Sequence, residues 1–389
     1  MMTMTRMLCS LALLTALHAV QAAPSTDTPA PAAQPIPAAP AIAARAHILI
    51  DVHSQRVIAE SHADERMEPA SLTKLMTAYT VFKELAAGKL KLADQATISE
   101  KAWRTEGSRM FVKVNTRVSL EDLLKGMIIQ SGNDASVALA EHVAGTEAGF
   151  ATLMNQHAKE LGMTDSHFTN STGLPDPELY VTAHDIALLA RAIIMEFPEY
   201  YAWYSTKEFS YNNITQFNRN QLLWRDQGVD GVKTGYTDSA GFCLVASALR
   251  DGMRLISVVL GTKDEKARAQ ESLAILNYGF RFFETHRLYA AGQELYTLPV
   301  WKGAERTLRL GLNSDLYVTV PRGQYRNLSA SMDMHAHLIA PVAKNQSFGN
   351  VTVSLAGDTI AKPPLVALHE VAQGGLWRRL IDTIRLWWN

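Results

Sequence analysis

Apolar side chains along this chain follow two periods, and the switches between them outline the elements. His47–Ile50 and Arg56–Ala59 are short runs on either side of Asp51–Gln55, which predicts a hairpin. From Ala70 to Leu85 the spacing becomes helical, with Leu72, Leu75, Met76, Tyr79, Phe82 and Leu85 recurring three and four apart. Apolar residues wrap most of that segment, so the helix is expected to be buried. Further helices are predicted near Leu120–Ile129, Ala135–Val143, Phe150–Leu161 and Ala183–Met195, the last with Thr182 and Asp185 placed as in a capping box. The segment between Leu161 and Thr182, rich in Asn, Ser, Gly and Pro, is expected to be a surface loop.

Period two returns after Gly228. Phe242–Leu249 and Arg254–Leu260 read as a hairpin about Arg250–Met253, and a helix from Lys266 to Phe283 follows. Strands at both ends of this stretch and helices between them predict one mixed α and β domain whose sheet is completed by its two termini. After Leu288 the runs Leu316–Val320, Leu328–Met334 and Val351–Leu355, separated by Pro-Arg-Gly and Ala-Gly-Asp turns, predict a small all-β domain.

The two ends differ from this globular text. Arg6 is followed by an apolar run from Met7 to Ala19, then by Val20 and Ala22 at spacings that suit cleavage after Ala22. The run is too short for the roughly 20 residues a spanning helix needs, so a secretory leader is expected, with an uncleaved anchor as the competing reading. Pro24 to Ala43 interleaves Pro and Ala and predicts an extended spacer. At the other end, Leu376, Trp377, Leu380, Ile381, Ile384 and Trp388 line one helical face, while Arg378, Arg379, Asp382 and Arg385 crowd the other. Such a helix suits a membrane interface, with Gly374-Gly375 as a hinge; the competing reading is a helix docked on its own β domain.

Composition narrows the class. The 37 Lys and Arg against 38 Asp and Glu leave a formal net charge of −1, which offers no global footprint for nucleic acid. Two cysteines, Cys9 and Cys243, exclude a disulfide framework and a Cys-rich metal site. The His335-Ala336-His337 pair lacks a third ligand, so no metal or other cofactor is expected.

Three short patterns carry chemistry. Ser71-Leu72-Thr73-Lys74 opens the buried helix and puts a lysine one turn from a serine. In a water-poor pocket the ammonium is disfavoured, and a neutral amine can take the serine proton. Ser131-Gly132-Asn133 lies on a connector between helices, where Ser131 can relay protons and Asn133 can hold a substrate amide. Lys233-Thr234-Gly235, followed by Tyr236, sits in strand text; Lys and Thr suit a terminal carboxylate, and Gly suits an extended peptide along the strand edge.

Each pattern is weak alone, but their order and spacing together resemble the low-molecular-mass penicillin-binding proteins, the D-alanyl-D-alanine carboxypeptidases of the serine S11 peptidase family. The resemblance runs from about Ala44 to the C-terminus. It includes Glu68-Pro69-Ala70-Ser71-Leu72-Thr73-Lys74-Leu75-Met76-Thr77, Asn218-Arg219-Asn220, Asp230-Gly231-Val232-Lys233-Thr234-Gly235 and Ala240-Gly241-Phe242. It implies an α/β (α+β) transpeptidase-type fold, a five-stranded antiparallel sheet with a helical cluster, followed by a small all-β domain. Ser71 is implied as the acylated nucleophile, Lys74 as its base, and Ser131 and Asn133 as the second catalytic element. Lys233, Thr234 and Gly235 are implied as substrate binders, with the N–H groups of Ser71 and Tyr236 as an oxyanion hole and Arg268 near the substrate carboxylate. The implied partners are peptidoglycan stem peptides, β-lactams as inhibitors and the inner-membrane lipid surface, with an exported enzyme on the periplasmic face. The expected division is a leader at 1–22, a linker at 23–43, a catalytic domain at 44–285, a β-rich domain at 288–364 and an amphipathic helix at 374–389. A β-lactamase-like hydrolase, a D,D-endopeptidase and a catalytically idle wall-binding protein are the alternatives.

Overall fold

The computed structural model describes residues 36–334 and 338–386. The expected leader, the linker as far as residue 35, His335 and His337, and Trp388 lie outside them.

The first domain is built on a five-stranded antiparallel sheet in the order Val57–Ser61, Ala46–Asp51, Met253–Thr262, Gly241–Arg250, Val229–Thr237. Two strands come from the start of the domain and three from its end, as the order of the elements implied. Local chemistry sets the turns. Asp51 Oδ1 accepts from the N–H groups of His53 and Ser54 (3.1 and 2.7 Å), which closes the first hairpin. Asp251 and Gly252 take positive φ (49° and 81°), the conformation of a two-residue hairpin turn. Strand Val229–Thr237 is left at the edge of the sheet.

Helix Thr73–Ala86 buries eleven of its fourteen residues and packs against helices Asn133–Ala144, Glu147–Glu160 and Ala183–Glu196. Its start differs from the expectation. Ala70 takes φ +47°, Ala70–Leu72 forms a 3₁₀ turn, and the α-helix begins only at Thr73. Ser71 in that turn and Lys74 in the first turn of the α-helix, three residues apart, still fall on one side, with 2.9 Å between Lys74 Nζ and Ser71 Oγ. The capping box before Ala183 is only half formed. Thr182 Oγ1 accepts from the Asp185 N–H (3.0 Å), but the Asp185 carboxylate instead accepts from the Asp165 N–H and the Ser166 hydroxyl.

The segment expected to be a surface loop is only partly at the surface: Leu174, Pro175, Pro177 and Glu178 are exposed, but other positions turn inward. Met163, Phe168, Ser171, Thr172 and Leu179 are all buried. Its polar residues satisfy backbone groups: Asn170 Oδ1 accepts from the N–H groups of Thr172 and Gly173, and Glu147 accepts from the Ser171 N–H and hydroxyl. Turn-forming composition signals local hydrogen bonding, and here that bonding lets the segment go inside.

From Phe283 to Ala367 the chain is built mainly of β-strands. Phe283–Tyr289 pairs with Leu316–Pro321, and a seven-stranded sheet holds the remaining strands to Ala367 over a core that includes Leu308, Leu310, Val351 and Leu365. Thr285 donates to Asp51 Oδ2 (2.8 Å) and Arg56 donates to the Thr319 carbonyl (2.6 Å), tying the two domains together.

The C-terminal helix Leu376–Leu386 combines both readings of the tail. Its polar edge is docked: Asp382 accepts from the Lys302 N–H (2.7 Å) and Arg378 donates to the Glu305 carbonyl (3.1 Å). Its apolar face is exposed, with Leu376 and Trp377 about four-fifths accessible. The hinge expectation is corrected at Gly374. Its N–H donates to the Lys302 carbonyl (2.8 Å), and a Cβ there would meet the Gly303 oxygen at 2.7 Å, so this glycine is a packed joint. Among the described residues no helix is long and apolar enough to cross a membrane.

Candidate active site

Ser71, Ser131, Asn133, Thr234, Gly235, Tyr236 and Arg268 line one cleft of about 380 Å³ between the helical region and the edge strand of the sheet. Lys74 and Lys233 sit beneath them, hydrogen-bonded to two of those residues. Residues expected to act together, spread over nearly 200 positions of sequence, are therefore brought together.

The Lys74 amine lies 2.9 Å from Ser71 Oγ and donates to the Thr172 carbonyl at 2.6 Å. Burial and then the Arg219 charge push its pKa down to about 7, against a smaller opposing pull from Asp134. A neutral amine keeps two N–H donors and gains a lone pair. One donor serves Thr172, and the lone pair faces the Ser71 hydroxyl. The inward course of the 161–182 segment is what places that carbonyl. Gly173 makes the approach feasible at φ +81°, where a Cβ would overlap the Ala70 backbone.

Ser131 caps helix Leu120–Gln130 in a left-handed conformation (φ +69°), which turns its hydroxyl to the Lys233 amine at 2.9 Å. Lys233 also donates to the Thr234 carbonyl (3.1 Å). Its ammonium is strongly disfavoured by burial and by the neighbouring Lys74, Arg219 and Arg268 charges. A ligand carboxylate would supply the missing counter-charge.

Asn133 opens the next helix and donates Nδ2 to the Glu106 carbonyl at 2.6 Å. Its Oδ1 is buried and, among the described residues, has no hydrogen-bond partner. A buried acceptor left without a donor is costly, and a substrate N–H entering the cleft would satisfy it. Asp134 is wholly committed to structure, accepting from the N–H groups of Met110, Phe111 and Val112 as well as Ala135.

Gly235 lets the edge strand close on the catalytic turn, since a Cβ there would stand 3.1 Å from the Pro69 oxygen. Arg268 is buried rather than an exposed helix arginine. It donates to the Gly235 carbonyl (3.3 Å) and pairs with Glu265 (2.9 Å). The Tyr236 side chain is half exposed at the lip and donates to Asp238 (2.6 Å). Cys243, opposite Gly235 on the adjoining strand, is buried, and burial pushes its thiol up to about 11, so it is no nucleophile at neutral pH.

Residue-by-residue reading gave no role to Arg219, Thr172 or Ser108, all of which line the cleft. For Arg219 a signal existed. The Asn residues on either side are buried, Asn218 bonded to Thr206 and Asn220 to Gly231, which leaves the arginine between them at the rim. Thr172 acts through its carbonyl, which no side-chain pattern can reveal.

The sequence matches the family model for D-alanyl-D-alanine carboxypeptidases (peptidase S11) over residues 33–264, and that for the C-terminal domain of penicillin-binding protein 5 over residues 283–373. It is 44% identical to the D-alanyl-D-alanine carboxypeptidase DacA of Escherichia coli K12 over 359 residues, 90% of this chain and 89% of the relative. The fold is similar to penicillin binding protein 5 from Haemophilus influenzae, with a TM-score of 0.83 at 41% identity over 86% of this chain and 99% of that one. It is also similar to penicillin-binding protein D2 from Listeria monocytogenes in its ampicillin-bound form, with a TM-score of 0.57 at 31% identity over 61% of this chain and 98% of that one. A buried lysine on a serine at a helix start, a second serine–lysine contact facing it, and these matches over both domains lead to one assignment: the chain belongs to the serine D-alanyl-D-alanine carboxypeptidases of the peptidase S11 family.

Proposed function

We propose that this enzyme removes the terminal D-alanine from peptidoglycan stem peptides through an acyl-enzyme on Ser71, and that penicillins acylate the same oxygen. The observation that carries the reading is the Lys74 amine, with a pKa near 7, held 2.9 Å from Ser71 Oγ. The substrate lies along the edge strand with its C-terminal carboxylate toward Lys233, Thr234 and Arg268. Asn133 Oδ1 accepts from a substrate amide. Lys74 takes the Ser71 proton as Oγ bonds to the penultimate carbonyl carbon, and the N–H groups of Ser71 and Tyr236 face the oxyanion. The proton then passes to the departing D-alanine nitrogen, with Ser131 and Lys233 as relay, and the C–N bond breaks. Water then attacks the ester carbon and gives a proton to the base, the Oγ–C bond breaks to release the shortened peptide, and the base returns the proton to Ser71 Oγ.

The test is incubation with a diacyl-Lys-D-Ala-D-Ala peptide and measurement of released D-alanine. Release is expected from the free carboxylate and not from the C-terminally amidated peptide. Equal cleavage of both would remove the carboxylate role of Lys233, and rapid turnover of a chromogenic cephalosporin without D-alanine release would favour a β-lactamase.

We further propose export by the N-terminal leader and attachment to the outer face of the inner membrane through the C-terminal helix. The support is an apolar face, Leu376, Trp377, Leu380, Ile381 and Ile384, left exposed while the polar edge holds to the β domain. Each such residue contributes roughly 1.5–3 kcal/mol at most on burial, and basic residues near anionic lipid add about 1 kcal/mol each. Deleting Leu376–Asn389 is expected to move the protein from the membrane fraction to the soluble periplasm while D-alanine release from short peptides persists. Continued pelleting with membranes would leave the helix as a structural brace only.

A further inference from the structure

Beyond the cleft, the segment carrying Gly107 and Ser108 continues past the active site. Its next residues alternate: Arg109, Phe111 and Lys113 are exposed, while Met110 and Val112 are buried. The backbone between them is held from both sides. Asp134 accepts the N–H groups of residues 110 to 112, and the carbonyls of Arg109 and Phe111 accept from Gln216 and Asn212 on the hairpin Glu208–Phe217 (3.1 and 3.3 Å). Phe111 is kept at φ +68°, a conformation costly for a bulky side chain, and its ring remains 44% exposed. Strain held in place to show an aromatic ring to solvent is a feature of binding sites.

The exposed side chains line a groove of about 400 Å³ together with Trp103 and Ile214. Arg109 lies over the Phe111 ring at 5.7 Å. Nearby Lys101 and Arg104 pair with Glu147 and Glu100, whereas among the described residues Arg109 and Lys113 face no carboxylate partner. Asp134, the one acidic residue of the groove lining, is buried and spent on backbone N–H groups. The groove is therefore apolar-floored and cationic. It adjoins the cleft, because Ser108 and Asn133 line the cleft while their chain neighbours Arg109 and Asp134 line the groove.

We propose that this groove is a second substrate subsite, binding the acidic part of the stem peptide upstream of D-Ala-D-Ala. The proposal rests on the carboxypeptidase reading. With the terminal carboxylate at Lys233 and Arg268 and a peptide amide at Asn133, the upstream chain leaves the cleft over Ser108 toward Arg109. Its carboxylates pair with Arg109 and Lys113, and its methylenes lie on Phe111 and Trp103.

The experiment compares kcat/KM for D-alanine release from two synthetic pentapeptides ending in D-Ala-D-Ala with free C-termini, one with two upstream carboxylates and one with both amidated. The full chain is expected to prefer the acidic peptide about three- to tenfold, the range two solvent-facing ion pairs support. In Arg109→Gln/Lys113→Gln the preference should vanish, and in Arg109→Glu/Lys113→Glu it should invert. Melting temperatures confirm that each variant folds. Equal rates on the two peptides in the unaltered enzyme, or a preference that survives the double Gln variant, would overturn the subsite alone. Release from neither peptide would overturn the carboxypeptidase reading and the subsite with it.

Discussion

Ser71→Ala is expected to abolish D-alanine release and covalent labelling by a fluorescent penicillin together. Both reactions pass through an ester on the same oxygen, and no other described side chain offers a comparable nucleophile in the cleft. Ser131 is the nearest rival. Its hydroxyl faces Lys233, whose ammonium is also disfavoured, so the two serine–lysine pairs look alike in isolation. Position separates them. Ser71 lies in the turn that begins the buried helix, where the helix N-terminus stabilises developing negative charge, whereas Ser131 caps the C-terminal end of its helix. The loss should be on the order of 10⁶-fold in kcat, the scale for removing the nucleophile of a concerted serine site. Ser131→Ala should still form the acyl-enzyme, at a reduced rate. A penicillin adduct mapped by mass spectrometry to Ser131 or any residue other than Ser71 would reverse the assignment.

Lys74→Ala should be nearly as damaging, because groups acting as a unit do not contribute additively. The stronger test is pH. The amine acts as base only when neutral, and its pKa is lowered from 10.5 to about 7. Acylation by penicillin should therefore rise as pH climbs through about 7 and level off above it. Burial is the main cause, and the Arg219 charge adds to it. Removing that charge in Arg219→Gln favours the ammonium, so the rising limb should move to higher pH. A limb that stayed put in Arg219→Gln, or acylation independent of pH between 5 and 9, would take the base role from Lys74.

Much of this was legible in the chain. The helix from the Ser71 turn to Ala86 announces itself by apolar residues three and four apart, and the Asp251-Gly252 hairpin by its turn residues, because each is decided by neighbours within a few positions. The resemblance to penicillin-binding proteins carried the candidate residues, and the cleft does gather them. The inward turn of residues 171–173 within the 161–182 segment was not legible. Its composition describes how its backbone hydrogen bonds are satisfied and says nothing about what packs over it.

What sequence by itself determined, then, is local or compositional: the α and β segments, the Ser71–Lys74 spacing, the apolar face of the tail helix and the absence of a global charge for nucleic acid. What only the tertiary structure decided depends on groups far apart in the chain. The pKa of Lys74 is set by full burial and by Arg219, some 145 residues away; the carbonyl that receives its proton donor comes from Thr172, and no pattern marks a carbonyl. Among the described residues Asn133 Oδ1 meets no donor, while its amide nitrogen donates to the Glu106 carbonyl. The polar edge of the tail helix is bound because Asp382 meets the Lys302 N–H, while the apolar face stays free. Desolvation and hydrogen-bond pairing are properties of what surrounds a group in space, so no reading along the chain alone can supply them.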